Sequence, residues 1–213
     1  MNRGSAKIVS LYTFNLHHLC VVSREITTKK FGEEHAAAIS GVLDRSLTQS
    51  GRSIFELSID SPVLLVFLRH AGCSFCREAL ADIGRARMDI ESGGIRIVLV
   101  HMGDGEGLES LLPRYGLSGA DRICDAGQEL YAAFGIQRGT PAQLFGPKVL
   151  WRGLFGGVLA RYGIGAARAD SSQMPAIFLL DKAEIVGRFR HRSAADRPDY
   201  LDFCSARGVM RRA

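Results

Sequence analysis

The chain has 213 residues and a formal net charge of +5, from 27 basic and 22 acidic side chains. Hydrophobic residues make up 46% of it and charged residues 23%, which excludes global disorder and supplies enough apolar material for a core. No stretch approaches the roughly 18 consecutive apolar residues of a membrane-spanning helix. Most of the excess positive charge lies between Arg188 and Arg212 without interleaved aromatic residues, so we expect no nucleic-acid partner.

The first 52 residues are more polar than the rest and include only a weakly amphipathic helical pattern, from Glu33 to Leu47. We predict an N-terminal extension over residues 1–52 and one domain over residues 53–213. No signal-peptide cleavage pattern follows the N-terminus, and five scattered cysteines are too few for a secreted disulfide framework. These features favour a cytoplasmic protein.

The pattern of apolar residues sharpens after residue 52. SIFELSI (53–59) alternates apolar and polar residues and predicts a half-buried strand, and VLLVFL (63–68) predicts a central buried strand. A helix is predicted over 74–90 and another buried strand over 95–102. A strand, a helix and a strand within about forty residues indicate a βαβ unit with parallel strands.

The second half of the chain contains weaker signals. We predict a short helix near 108–115, a short strand over 122–124, and a helix over 127–134 that Asp125 caps. Residues 138–172 are rich in Gly and Arg and resemble an insertion.

Two β-runs, AIFLLD and EIVGRFR, follow this insertion and predict an antiparallel hairpin because only two residues separate them. A last helix is predicted over 197–206, with Pro198 at its first position.

Two cysteines, Cys73 and Cys76, lie where the first central strand gives way to its helix. The unpaired N–H groups and the dipole at a helix N-terminus stabilise a thiolate, and Arg69, His70 and Arg77 add positive charge nearby. The second thiol, one helical turn on, can attack a mixed disulfide formed by the first. We therefore predict a redox-active CxxC pair at an exposed elbow, which oxidises to an intramolecular disulfide.

Two other interpretations of the cysteine pair remain. The thiols could be inert core residues, or they could form half of a zinc site. Zinc needs four ligands, and no second Cys/His pair has structural-site spacing, so we expect no metal. Dithiol chemistry also needs no cofactor.

Pro175 lies at the first position of the first strand of the predicted hairpin. Proline has no N–H to donate to the sheet, and the first position of a strand tolerates that loss. Together with the cysteine pair it matches the thioredoxin-like pattern, in which a cis-proline loop presents backbone groups to the substrate. We predict a cis Met174–Pro175 bond and a substrate-binding role for Met174, Pro175, Arg69 and His70. The fold class is α/β, with a central mixed sheet flanked by helices.

The stretches VLLVFLRHAGCSFCREALADI, LYAAFGIQRG and MPAIFLLDKAEIVGRFRHRSAADRPD resemble the peroxiredoxin-like (AhpC/TSA-related, SelL-type) redox proteins, relatives of the prostaglandin F synthase-like branch. The resemblance covers about residues 53–204. It implies a thioredoxin fold that performs dithiol chemistry on a protein or small-molecule disulfide or on a peroxide, with a thioredoxin- or glutathione-type reductant.

The resemblance leaves two enzyme activities open. A thiol–disulfide oxidoreductase fits the CxxC, and helix electrostatics then favour Cys73 as the attacking thiol. Peroxiredoxins carry the motif Pro-x-x-x-Thr/Ser-x-x-Cys, whose last residue is the peroxidatic cysteine, and Cys76 falls at that position. However, Cys73 occupies the Thr/Ser position of the motif, and Pro175 replaces the arginine that polarises the peroxide. A non-catalytic binding module with the same fold is the third alternative.

Residues 138–172 also allow two interpretations. Leu150, Trp151, Leu154 and Phe155 beside Lys148 and Arg152 resemble an amphipathic membrane-surface or partner helix. Because glycines interrupt that helix, we favour a lid that packs beside the cysteine pair.

Overall fold

The computed structural model describes residues 39–103, 106–165, 170–206 and 208–210. A mixed five-stranded sheet in the order β3-β2-β1-β4-β5 forms its centre. The strands are β1 (Val63–Phe67), β2 (Arg96–His101), β3 (Asp121–Cys124), β4 (Ala176–Asp181) and β5 (Glu184–Arg190). β1, β2 and β3 are parallel, whereas β4 runs antiparallel to both β1 and β5. The predicted βαβ unit and C-terminal hairpin are confirmed.

Helices cover both faces of the sheet. They are α1 (residues 39–45), α2 (Ile54–Asp60), α3 (Ser74–Ser92), α4 (Glu106–Glu109), α5 (Glu129–Ala133), α6 (Pro141–Phe145), α7 (Pro147–Leu150), α8 (Val158–Tyr162) and α9 (Tyr200–Ser205). A 3₁₀ turn at Pro113–Tyr115 and a π-helical turn at Trp151–Phe155 complete the set. None of the described helices is long and apolar enough to cross a membrane.

The central strand β1 separates two apolar clusters, and all five of its residues are buried. Val63, Leu65 and Phe67 face the cluster that contains residues of α1, α2 and α5. Leu64 and Val66 face the cluster that contains α3 and α9. A continuous apolar run is what a strand covered on both faces requires, which explains why this strand was predicted within one residue.

The region 53–59 is a helix, so the predicted strand is wrong. Ser53 is the N-cap of α2 and accepts a hydrogen bond from the Glu56 N–H, while the Glu56 side chain accepts one from the Ser53 N–H. Ile54, Leu57 and Ser58 are buried, at the i, i+3 and i+4 spacing of a helix. The seven-residue pattern fits both the two-residue period of a strand and the 3.6-residue period of a helix. The reciprocal capping box favours the helix.

The last helix also begins later than predicted. Asp199 is the N-cap of α9 and accepts a hydrogen bond from the Asp202 N–H at 2.9 Å. Pro198 therefore precedes the cap instead of occupying the first helical position.

Residues 39–213 form a compact unit, and α1 contributes Val42 and Leu43 to its core. The part of the predicted 33–47 helix before residue 39 lies outside the described residues, as does Cys20. The domain boundary at residue 52 stays a prediction. Within the predicted insertion 138–172, the structure describes four short helical elements over residues 138–165, which we call the lid segment.

Candidate active site

The cysteine pair lies at the junction of β1 and α3. Cys73 is the N-cap residue of the 19-residue helix α3 and has extended backbone angles, with φ −76° and ψ 122°. Its sulfur makes no side-chain capping hydrogen bond. Cys76 lies in the first turn and packs inward among the core residues of α3. The elbow geometry predicted for the pair is therefore present.

Arg69 contacts both sulfurs. Its backbone N–H donates to Cys76 Sγ at 3.3 Å, and its Nη1 donates to Cys73 Sγ at 3.6 Å. The second terminal nitrogen of the guanidinium donates to the carbonyl of Ser171. Its Nε is buried and has no hydrogen-bond partner among the described residues. A single side chain thus supplies the positive charge at the thiols and connects them to the segment before β4.

The surroundings shift the pKa values of the two thiols in opposite directions. The hydrogen bond from the Cys76 thiol lowers the pKa of Cys73 to about 6, and the Arg69 charge and the N–H groups of Cys76 and Phe75 add to this effect against the cost of burial. The same hydrogen bond, burial and the charge on Cys73 raise the pKa of Cys76 well above its ordinary value. These shifts favour the thiolate on Cys73 and the neutral thiol on Cys76.

The elbow is covered, contrary to the prediction that it is exposed. Cys73 is 8% exposed and Cys76 is 4% exposed. The lid segment closes over them: the Gly165 N–H donates to the Gly72 carbonyl at 2.9 Å. A Cβ on Gly165 would lie only 3.0 Å from Gly72 Cα, so glycine permits this close approach. The sequence favoured a lid beside the cysteine pair, but it did not identify the residues that make this contact, because they lie far apart in the chain.

The other two predicted basic neighbours have different roles from Arg69. Burial, and then the charges of Arg69 and Arg77, lower the pKa of His70, so its imidazole is neutral at neutral pH. Arg77 donates to the Ala71 carbonyl at 2.8 Å and to the Tyr162 carbonyl at 3.0 Å. Arg77 therefore holds the lid segment in place and does not contact the sulfurs.

The lid segment also contacts Phe75, one of the two residues between the cysteines. The Arg152 guanidinium lies 5.4 Å from the centroid of the Phe75 ring and donates to Glu78 Oε2 at 2.5 Å. Glu78 is buried, and Arg197 lies 3.7 Å from its other oxygen. This ion-pair cluster attaches the lid segment to α3 and to the region before α9. Sequence reasoning missed it, since no local pattern links these residues.

A buried tyrosine supports the site from behind. The Tyr131 hydroxyl donates to the Leu68 carbonyl, and the Val100 carbonyl lies 3.3 Å away. Burial raises the pKa of Tyr131 well above its ordinary value, so the hydroxyl remains a donor. It fixes the ends of β1 and β2, and the loop to Cys73 follows β1. Sequence reasoning did not identify this residue either.

The Met174–Pro175 bond is trans, as is every peptide bond among the described residues, so the predicted cis bond is wrong. The Met174 N–H donates to the Gln137 carbonyl at 3.3 Å, which holds this backbone against the chain that enters the lid segment. Pro175 and Cys76 line a cavity of about 20 Å³, large enough for one water molecule. The trans bond removes the main basis for a substrate platform, and the binding role of Met174 and Pro175 stays a prediction.

The remaining described cysteines lie apart from this pair. Cys124 is exposed at the end of β3 and its thiol donates to the Gly103 carbonyl at 3.0 Å. Cys204 is buried in α9, and burial raises its pKa to about 12. The described residues contain no cluster of three or more His, Cys, Asp or Glu side chains suited to a metal ion.

No protein-family model matches the chain, and no curated protein matches it. Several solved structures do. DsbF from Mycobacterium tuberculosis is 13% identical, with a TM-score of 0.50 over 79% of this chain and 97% of that one. The peroxidoxin BcpB from Mycobacterium tuberculosis is 14% identical, with a TM-score of 0.54 over 78% and 92%. The bacterioferritin comigratory protein of Xanthomonas campestris is 13% identical, with a TM-score of 0.54 over 78% and 92%.

The chain has a thioredoxin-like fold. At these identities the similarity shows the fold alone, so the chemistry has to be argued from the cysteine pair and its surroundings.

Proposed function

We propose that the protein is a thiol–disulfide oxidoreductase in which Cys73 attacks and Cys76 resolves. One observation carries this proposal: the Arg69 guanidinium donates to the Cys73 sulfur at 3.6 Å at the start of a long helix. A cation and a helix N-terminus stabilise a thiolate, which is the nucleophile in disulfide exchange. An inert core cysteine needs no such surroundings.

The reaction proceeds in two exchange steps. The Cys73 thiolate attacks one sulfur of the substrate disulfide, the substrate S–S bond breaks, and one substrate thiolate leaves. Loss of the negative charge on Cys73 removes one cause of the raised pKa of Cys76, so its proton can pass to the departing thiolate. The Cys76 thiolate then attacks the Cys73 sulfur, the bond between Cys73 and the substrate breaks, and the second substrate sulfur leaves as a thiolate, which takes a proton from water; a Cys73–Cys76 disulfide remains.

Two electrons have then moved from the cysteine pair to the substrate. A thiol reductant of the thioredoxin or glutathione type restores the dithiol by the reverse exchange. This scheme uses neither metal nor cofactor. The substrate is a protein or small-molecule disulfide, and we place the protein in the cytoplasm, where the exposed thiol of Cys124 stays reduced.

A thiol peroxidase is the second candidate, and the burial of Cys73 favours it. A thiol that is 8% exposed accepts a small peroxide more easily than a bulky disulfide. The peroxiredoxin register assigns the peroxidatic role to Cys76, but the pKa shifts of the pair favour Cys73 as the attacking thiolate. The Cys73 thiolate would attack the O–O bond and release water or an alcohol, and Cys76 would condense with the resulting sulfenic acid to release water. Among the similar structures, DsbF is described in oxidised and reduced forms, and the Xanthomonas campestris protein is described with alkyl peroxide reduction activity.

The reduced full-length protein should be mixed separately with oxidised glutathione and with hydrogen peroxide, and the initial rates compared. Both oxidants should yield the same Cys73–Cys76 disulfide in the monomer, detected by mass spectrometry after alkylation of the remaining thiols. We expect the second-order rate constant to be higher for the disulfide. A much higher rate constant for peroxide would assign the protein to the second candidate.

A further inference from the structure

The cavity that Cys76 and Pro175 line has a volume of about 20 Å³, enough for one water molecule. Its lining is mostly apolar and comes largely from the ends of β1 and β4 and from the start of α3. The polar members of the lining are Arg69, Cys76, His191 and Asp196. A water molecule inside a protein is held by two to four polar partners, so these four side chains decide what the cavity binds.

Two of these side chains carry a buried nitrogen that has no hydrogen-bond partner among the described residues, Arg69 Nε and His191 Nδ1. Arg69 is only 6% exposed, so bulk solvent does not supply the missing contact. An arginine Nε carries a hydrogen and donates, whereas a neutral imidazole has one unprotonated nitrogen that accepts. Burial lowers the pKa of His191 to about 4, which keeps its ring neutral at neutral pH. A donor and an acceptor therefore belong to the lining of the same cavity.

The carboxylate in the lining is already engaged. Asp196 accepts hydrogen bonds from Lys148 Nζ, from the N–H groups of Arg192 and Ser193, and from the Ser193 hydroxyl. The other lining side chains, Cys76 apart, are apolar. A water molecule can accept from an Nε–H and donate to an imidazole nitrogen at the same time, and it fits the volume. One water molecule therefore satisfies both nitrogens.

A partner at Nε matters for the thiol because the guanidinium is planar. Its donors have a fixed fork geometry, so holding two of the three nitrogens fixes the direction of the third. The Arg69 Nη2 donates to the Ser171 carbonyl, and Nη1 donates to Cys73 Sγ at 3.6 Å. The contact with sulfur is long, so a small rotation of the guanidinium plane is enough to lose it. A second anchor, at Nε, prevents that rotation.

We propose that one buried water molecule joins Arg69 Nε to His191 Nδ1, and that His191 is thereby a positioning residue for the attacking thiolate of Cys73. This inference rests on the proposed attack by Cys73 and adds a residue directly after β5 to the machinery of the elbow. The water accepts from Nε and donates to Nδ1, and the Cys76 sulfur borders the same cavity. His191 acts only through the water and the guanidinium, and it exchanges no proton with the substrate.

The test compares the rates of Cys73 alkylation by iodoacetamide at pH 6 and at pH 9 in the full chain, because the ratio of the two rates cancels differences in access. His191→Leu keeps a side chain but removes the acceptor nitrogen, and it should lower the ratio about threefold. His191→Gln supplies an acceptor oxygen and should restore the parent ratio. Phe189→Leu is the matched control, because it removes the ring that packs edge-on to the imidazole at 5.0 Å and leaves Nδ1 in place. Its ratio should equal that of the parent.

A double-mutant cycle shows whether His191 acts through Arg69. In the Arg69→Gln background, His191→Leu should leave the ratio unchanged, since the group that it positions is gone. An equal loss in both backgrounds would overturn the positioning role. The same conclusion would follow from equal ratios in the parent and in His191→Leu, or from a loss that His191→Gln does not restore.

A crystal structure of the reduced wild-type protein tests the water without any variant. We expect an ordered water molecule within about 3.2 Å of both Arg69 Nε and His191 Nδ1. A dry cavity, or an imidazole that turns Nδ1 away from it, would overturn the inference. A wild-type Cys73 that alkylates with a midpoint near pH 9 would instead contradict the proposed function, because no thiolate would then need positioning.

Discussion

The elbow between β1 and α3 and the lid segment are built by different means. The elbow is attached to a strand with both faces buried and to a 19-residue helix, so its sulfurs have fixed neighbours. The lid segment consists of short helical turns, is joined to the elbow by a few polar contacts, and carries apolar side chains outward. The difference indicates that the sheet positions the chemistry and that the lid segment controls access to it.

Replacing each cysteine of the elbow in turn tests whether Cys73 attacks and Cys76 resolves, and these variants should show the largest effects. Cys73→Ser should lower the rate of disulfide reduction by at least about a hundredfold, because it removes the nucleophile. Cys76→Ser should also stop turnover, but it should accumulate a mixed disulfide on Cys73 that mass spectrometry detects. Accumulation on Cys76 in the Cys73→Ser variant, at the wild-type rate, would reverse the assignment.

Two arginine variants distinguish the effect of the charge beside the Cys73 sulfur from the effect of attaching the lid segment. Arg69→Gln removes the cation beside Cys73 and should raise the pKa of that thiol, which lowers its alkylation rate at pH 6 about tenfold. Arg77→Gln is the matched control, because Arg77 donates to the Ala71 and Tyr162 carbonyls and not to sulfur. Its alkylation rate should not fall, since loosening the lid segment only improves access. Equal losses in both variants would show that nearby charge, and not the contact of Arg69, sets the pKa.

The attachment of the lid segment can be tested through stability. Glu78→Gln leaves the Arg152 guanidinium without its buried carboxylate, whereas Arg197 keeps its pair with Asp82, and it should lower the free energy of unfolding by about 2 kcal/mol. Glu91→Gln on the same helix breaks an exposed pair with Arg87 and should cost no more than about 0.5 kcal/mol. Urea denaturation of the two variants measures both values. Equal values would mean that the Glu78 cluster does not hold the lid segment.

The smallest effect concerns the loop before β4. Because the Met174–Pro175 bond is trans, Pro175→Ala keeps the same backbone and should change the rate of disulfide reduction by less than about threefold. Steady-state kinetics with oxidised glutathione measure this. A loss as large as that of a cysteine variant would restore the substrate platform that the sequence predicted.

The elbow could be predicted from the sequence because its signals are local. The run from Val63 to Leu68 has the length and the β-branched and aromatic content of a buried strand, and a CxxC follows it after four residues, at the start of a helix. The strand predicted over 53–59 failed because the pattern fitted two periods, although Ser53 and Glu56 had the spacing of a capping box.

The surroundings of the elbow could not be predicted, because they depend on contacts across the chain. Gly165 of the lid segment hydrogen-bonds to Gly72 beside Cys73, and Glu78 pairs with Arg152 and Arg197. The Met174–Pro175 bond is trans although the motif indicated cis. A lid beside the cysteine pair could therefore be predicted from the sequence, whereas the contacts that attach it could not.

We assign the thiolate to Cys73 and a neutral thiol to Cys76. The pH dependence of alkylation tests this assignment. Reduced wild-type protein should be treated briefly with iodoacetamide across pH 4.5 to 10, and the label assigned to each cysteine by fragmentation mass spectrometry. A thiol with a lowered pKa loses its reactivity only as the pH falls through that pKa. We expect labelling of Cys73 with a midpoint near pH 6 and no labelling of Cys76 until well above pH 9. Labelling of Cys76 first, or a Cys73 midpoint near pH 9, would contradict it.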